Sequence, residues 1–130
     1  PLPLELNYQA RQLVLAPGAM VSALAGIAKA LRAKAKGSAG KLIAAAKPDA
    51  EQKVLAEALK KGDRVAVLLG NLGQAHPDYS ILRDLAAAVA AASGASLGFL
   101  PEAANSVGAR LAGALPHRGQ GVGRGHAQIV

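Results

Sequence analysis

Apolar residues along this chain fall into two kinds of pattern. Met20, Val21, Leu24, Ile27, Ala28 and Leu31 recur at helical spacing, which predicts a helix with one apolar face. Ahead of it, residues 12–15 form a short apolar run that ends at Ala16, Pro17 and Gly18, and this reads as a strand feeding the helix. The helical pattern fades at Lys36 and Gly37. Gly37 and Gly40 close together predict a break over residues 37–40, with a short helical piece following over residues 42–46. Asp49 then stands ahead of Val54, Leu55, Ala58 and Leu59, with Gln52 at the third position after it and Gly62 beyond the last apolar residue. That is the signature of a capping box and a C-cap, so a second helix is expected over residues 49–61.

The second kind of pattern is the uninterrupted apolar run. Residues 65–69, bounded by polar residues and Gly70, read as a parallel strand covered on both faces. His76 and Pro77 interrupt the chain, and Asp78 offers an N-cap. Ile81, Leu82, Leu85, Val89 and a run of alanines then carry a third helix to Gly94. Residues 97–100 supply another short apolar strand. Strand, helix and strand in this order and length predict a right-handed parallel crossover, so the fold class is α/β with a partial parallel sheet. Past Pro101, Asn105 is placed to cap a short helix reaching Leu111. Residues 119–130 are Gly-rich without apolar period and are expected to be poorly ordered.

Composition narrows the picture. In 130 residues, 52% are hydrophobic, but these are mostly Ala, Leu and Val, and Tyr8, Tyr79 and Phe99 are the aromatic residues. Such a core packs tightly and buries little area per residue. Pro1 stands where an initiator Met is absent, and with no leader pattern visible this suggests a segment cut from a longer chain. The absence of Cys excludes a disulfide, a thiolate nucleophile and a conventional iron–sulfur cluster within these residues. A net charge of +7 raises the question of a polyanionic partner. However, Lys29, Arg32, Lys34, Lys36, Lys41 and Lys47 gather around one helix end and its loop, and Lys60 and Lys61 close another helix. Both placements suit helix dipoles and a solvated basic edge, so no direct nucleic-acid contact is expected. The apolar runs are also too short for a bilayer, which needs roughly 20 such residues.

Two places bear on chemistry. Gly70, Asn71, Leu72 and Gly73 follow a strand and precede a helix, the position at which α/β proteins hold phosphate groups on backbone donors. Neither GxGxxG nor GxxxxGK[ST] is present, so a tight strand exit is the plainer reading of the glycines. Glu102, Asn105, Ser106 and Arg110 gather after the second strand, where a turn, a helix cap and close helix packing account for them equally well. Gly70, Asn71, Gly73, Glu102, Asn105 and Ser106 are therefore the candidate cofactor-binding residues. His76, His117 and His126 lack the paired spacing of a zinc site, and no metal is assigned. Asp49 and Glu51 read as capping and dipole partners, no Ser lies in a nucleophile elbow, and no catalytic set emerges.

The stretch GDRVAVLLGNLGQAHPDYSILRDLAAAVAAASGASLGFLPEAANSVGARLAGALPHR, above all LGFLPEAANSVGARLAGALP, resembles the C-terminal region of the large iron–sulfur subunit of bacterial respiratory NADH:quinone oxidoreductase. The upstream QLVLAPGAMVSALAGIAKAL is also similar, so the likeness covers most of residues 12–118, while the Gly-rich tail departs from it. The resemblance implies that residues 1–118 are a Rossmann-like piece of a molybdopterin-oxidoreductase-type fold. It implies iron–sulfur clusters elsewhere in the parent subunit, with no cofactor in this segment. The whole enzyme, respiratory complex I, passes electrons from NADH through flavin and iron–sulfur clusters to quinone. This piece would be a structural, non-catalytic part of its peripheral arm, at the cytoplasmic face of the bacterial inner membrane. Its partners would be the other subunits and the rest of its own chain, reached largely through residues 97–114. Sheet edges left open in such a fragment predict self-association or partial disorder when it stands alone. One rival reading is a fragment of an active molybdopterin-dependent oxidoreductase, with the loops after Leu69 and Leu100 on a pterin dinucleotide. The other is a basic nucleic-acid-binding module using residues 29–47 and 118–124, which have no aromatic residues for stacking.

Overall fold

A computed structural model describes residues 10–101, 103–105, 108 and 111–112. The chain divides into two compact units, residues 1–99 and 100–130. The first contains a one-turn 3-10 helix, Pro17–Ala19, and then α1 (Met20–Ala30), α2 (Gly37–Ala45), α3 (Ala50–Lys61), β1 (Ala66–Leu69), α4 (Asn71–Gln74), α5 (Tyr79–Ser93) and β2 (Ser96–Phe99). In the second, residues 103–105 turn, Gly108 and Leu111 are helical, and the Ala112 N–H donates to the Gly108 carbonyl at 2.9 Å.

The elements form where local chemistry favours them. Asp49 accepts the Gln52 N–H at 2.7 Å while the Gln52 side chain accepts the Asp49 N–H at 3.3 Å, so the expected capping box at the start of α3 is complete. α5 ends at Gly94, whose φ of 69° lies in the left-handed region. The Ala95 N–H then reaches the Ala90 carbonyl at 2.9 Å, which also accepts the Gly94 N–H, so the chain turns back over the last turn of the helix. α1 ends in the same way: the Ala33 N–H donates to Ala28 at 2.9 Å and the Arg32 N–H to Lys29 at 3.0 Å. Here the left-handed position is held by Arg32, at φ 58°, in place of a glycine.

The core is helical. Leu82, Leu85 and Val89 of α5 are its largest fully buried side chains, and α1 packs on α5, α3 and α2. Ala25 and Ala28 of α1, Ala39 of α2, Ala56 of α3 and Ala88 of α5 are buried in one cluster with Leu31, Ile43 and Leu85. Small side chains let the helix axes approach closely, and each contributes modest area at about 25 cal/mol per Å². Gly26 of α1 lies against the Gln52 side-chain amide of α3, which a Cβ there would run into.

β1 and β2 make a two-stranded parallel sheet, with Ala66 opposite Ser96 and Leu69 opposite Phe99. The molecule is therefore α/β with a small parallel sheet, and β1, α5 and β2 follow one another in the expected order. Three expectations fail. Residues 12–15 form no strand, and Val14 is 46% exposed. Residues 37–40 are the first turn of α2: Gly37 opens it at a left-handed φ of 62°, and a Cβ at Gly40 would run into the carbonyl of Ala35 in the segment ahead of the helix, so Gly40 serves close approach. Finally, β1 is covered on one face only. Val67 is half-buried and Leu69 buried toward α5, whereas Ala66 is exposed and Leu68 is 56% exposed. The second strand begins at Ser96 and ends at Phe99, one residue earlier at each end than the sequence indicates. The expected disorder of residues 119–130 lies outside the described residues.

Candidate functional site

The first candidate loop is built on the carboxyl end of β1. Gly70 takes the N-cap position of α4 with φ −78° and ψ 178°, ordinary extended backbone, and a Cβ added there would meet nothing within 4 Å. No local strain or crowding therefore requires glycine at position 70. Gly73 is buried, but a Cβ there would make only ordinary contacts, with Leu69 Cδ2 at 3.4 Å and Met20 Cε at 4.0 Å, so packing does not require glycine at this position either. Asn71 and Leu72 are exposed, Leu72 by 80%. The loop is braced from within by Gln74, whose Nε2 donates to the Leu69 carbonyl at 3.0 Å and whose N–H donates to Gly70 at 3.1 Å.

His76 is the residue whose part in this region the sequence did not disclose. Its side chain is 8% exposed, and it joins the segment after α4 to the turn before α1. Nδ1 accepts the Asp78 N–H at 3.0 Å, which leaves the ring proton on Nε2, and Nε2 donates to the Pro17 carbonyl at 3.2 Å across 59 positions of sequence. Asp78 stands at the expected N-cap position of α5, but its carboxylate, 4.0 Å from Nδ1, makes no capping hydrogen bond. The imidazole, with both nitrogens engaged by backbone, acts here as a bracket between two turns. Only its distance in sequence from Pro17 concealed this, since nothing in local spacing links the two.

The second candidate group is only partly described. Asn105 is exposed in its turn, and its side-chain amide lies where a Cβ at Gly108 would fall. Glu102, Ser106 and Arg110 lie outside the described residues. Comparisons with protein-family models, curated proteins and solved structures return no match. The site is thus read from its own residues. Among the described residues no His, Asp or Glu cluster of three or more is placed to hold a metal ion, no side-chain polar atom is buried without a partner, and no helix is long and apolar enough to cross a membrane. What the loop after β1 presents is an exposed Asn–Leu pair at the start of a single helical turn, beside an uncovered strand face.

Proposed function

We propose that this chain is a packing segment of the C-terminal, molybdopterin-oxidoreductase-like region of the large iron–sulfur subunit of respiratory NADH:quinone oxidoreductase, and that it contributes surface to the peripheral arm without doing chemistry of its own. One observation carries the reading. Parallel sheets are stable when both faces are covered, yet Leu68 on β1 is 56% exposed, on the sheet face away from α5. Leu68 lies across Gly98 of β2, with its Cδ2 2.7 Å from where a Cβ would stand, so the two strands offer a shallow apolar surface. The likeness of residues 12–118 to the large iron–sulfur subunit supplies the covering layer: the rest of the same domain. In that setting iron–sulfur clusters belong to other parts of the subunit, and the segment sits with the complex at the cytoplasmic face of the inner membrane.

The test is incorporation. The chain, tagged, is co-expressed with the remaining subunits of a bacterial NADH:quinone oxidoreductase and with the rest of the large iron–sulfur subunit, then recovered by affinity purification and read by mass spectrometry. Co-recovery of the peripheral-arm subunits, lost on Leu68→Lys, supports the reading. Recovery of the chain without them overturns it, and a pterin dinucleotide bound to the parent protein would replace it with the molybdoenzyme alternative.

A further inference from the structure

The basic residues that the packing role leaves unused are unevenly distributed. Between Glu5 and Asp49 the chain has no acidic residue, while Arg11, Lys29, Arg32, Lys34, Lys36, Lys41 and Lys47 all fall in that interval. Three of them, Lys29, Arg32 and Lys34, line one open cavity of about 530 Å³ between the end of α1 and α2, over a floor that includes Ala33, Ile43 and Ala44. The described ion pairs, Lys60–Glu57 and Arg83–Asp84, both lie elsewhere. Among the described residues no carboxylate lines this cavity. The Lys29 ammonium is fixed at the wall by donating to the Ala44 carbonyl at 3.0 Å, which leaves it two further donors.

The backbone at Arg32 adds an independent point. α1 and α5 end in the same hydrogen-bonded motif, with a left-handed residue after the last turn, and α5 uses Gly94 there while α1 uses Arg32. An L-residue carries a steric cost in that conformation that glycine avoids, so arginine stands where the fold alone favours glycine. A residue held in an unfavourable conformation and lining a cavity invites a role for its side chain.

We propose that this cavity is a binding site for a phosphate group carried on a small organic molecule. Arg32 and Lys34 would clasp the phosphate oxygens, with Lys29 as a third donor and the aliphatic floor taking the carbon skeleton. Its volume falls in the range of small-molecule sites, and guanidinium and ammonium donors match a tetrahedral oxyanion. The described lining holds no aromatic side chain on which a base would stack, which favours a phosphorylated aliphatic compound or a lipid headgroup over a nucleic acid. The site is independent of the packing role, because it lies on the opposite element set from Leu68.

The test uses the full chain. Calorimetric titrations with glycerol 3-phosphate and with duplex DNA are run beside co-sedimentation with phosphatidylglycerol vesicles and with phosphatidylcholine vesicles. Saturable binding at one site, weakened at least fivefold by Lys34→Gln and by Arg32→Gly, is expected. The control Lys60→Gln with Lys61→Gln removes more charge from α3 and should leave binding within twofold. Arg32→Gly should keep or raise the unfolding midpoint, so lost binding cannot be traced to lost fold. Binding of glycerol 3-phosphate identifies a soluble ligand, and binding confined to phosphatidylglycerol vesicles identifies a headgroup. Equal weakening by the α3 control, binding of duplex DNA alone, or binding of none of these probes overturns the proposal.

Discussion

The helical layer and the sheet of this chain are built on opposite terms. α5 is enclosed: Leu82, Leu85, Ala86 and Val89 are almost or wholly shut off from solvent, against α1 and the sheet. The sheet is enclosed on one side, whereas on the other Leu68 meets solvent with 56% of its surface, and Leu72 in the helical turn that follows β1 does so with 80%. Both regions are rich in apolar residues. The difference is that the helices find their partners inside the chain, whereas the outer face of the strands finds none among the described residues. Hydrophobicity thus specifies that a surface will be buried, and the chain at hand determines only half of where.

The largest expected effect breaks the enclosed side. Leu85→Ala deletes a side chain with 0% exposure and should cost about 2–5 kcal/mol in urea unfolding. A cost below about 1 kcal/mol would mean that α5 is not the centre of the core. His76→Ala comes next, because it strips the Pro17 carbonyl and the Asp78 N–H of their shared partner, with an expected loss of about 1–2 kcal/mol. Asp49→Ala removes the capping box at α3 and should cost about 1 kcal/mol, read as a lower urea midpoint at unchanged slope.

The smallest effect is the one that sharpens the comparison. Leu68→Lys should change the stability of the chain alone by no more than about 0.5 kcal/mol, because no layer of the described residues covers that position. Paired with Leu72→Lys, it should also suppress self-association in sedimentation velocity, where the unsubstituted chain is expected to associate through its open sheet. A substantial loss of stability from Leu68→Lys would show that the face is covered after all.

Much of this architecture is legible in the sequence. Asp49 with Gln52, and Gly62 after the last apolar residue, mark α3; Gly94 marks the end of α5; and the strand–helix–strand order follows from two apolar runs around one helical period. The failures share a cause: local signals do not report distant neighbours. Gly37 and Gly40 look like a turn because glycine signals both conformational freedom and close approach: Gly37, at φ 62°, uses the first, and Gly40, beside the Ala35 carbonyl, the second. Residues 65–69 look doubly buried because an apolar run carries no record of which face has a partner. Of the candidate site, the position of Gly70, Asn71 and Gly73 after β1 was readable, but the bracing by Gln74 and His76 was not, and the cavity at Lys29, Arg32 and Lys34 needed α1 and α2 to be brought together.

The parallel pairing of Ala66 with Ser96 has a consequence in time. Strands joined by a tight hairpin can zip from their turn within microseconds, but these two are joined through α5 and have no short loop from which to start. Their ladder is held together only while α5 bridges them. The amides of β1 and β2 that bond across the pair should therefore exchange with solvent at the pace at which α5 opens, so that hydrogen exchange in the sheet becomes a clock for the helix.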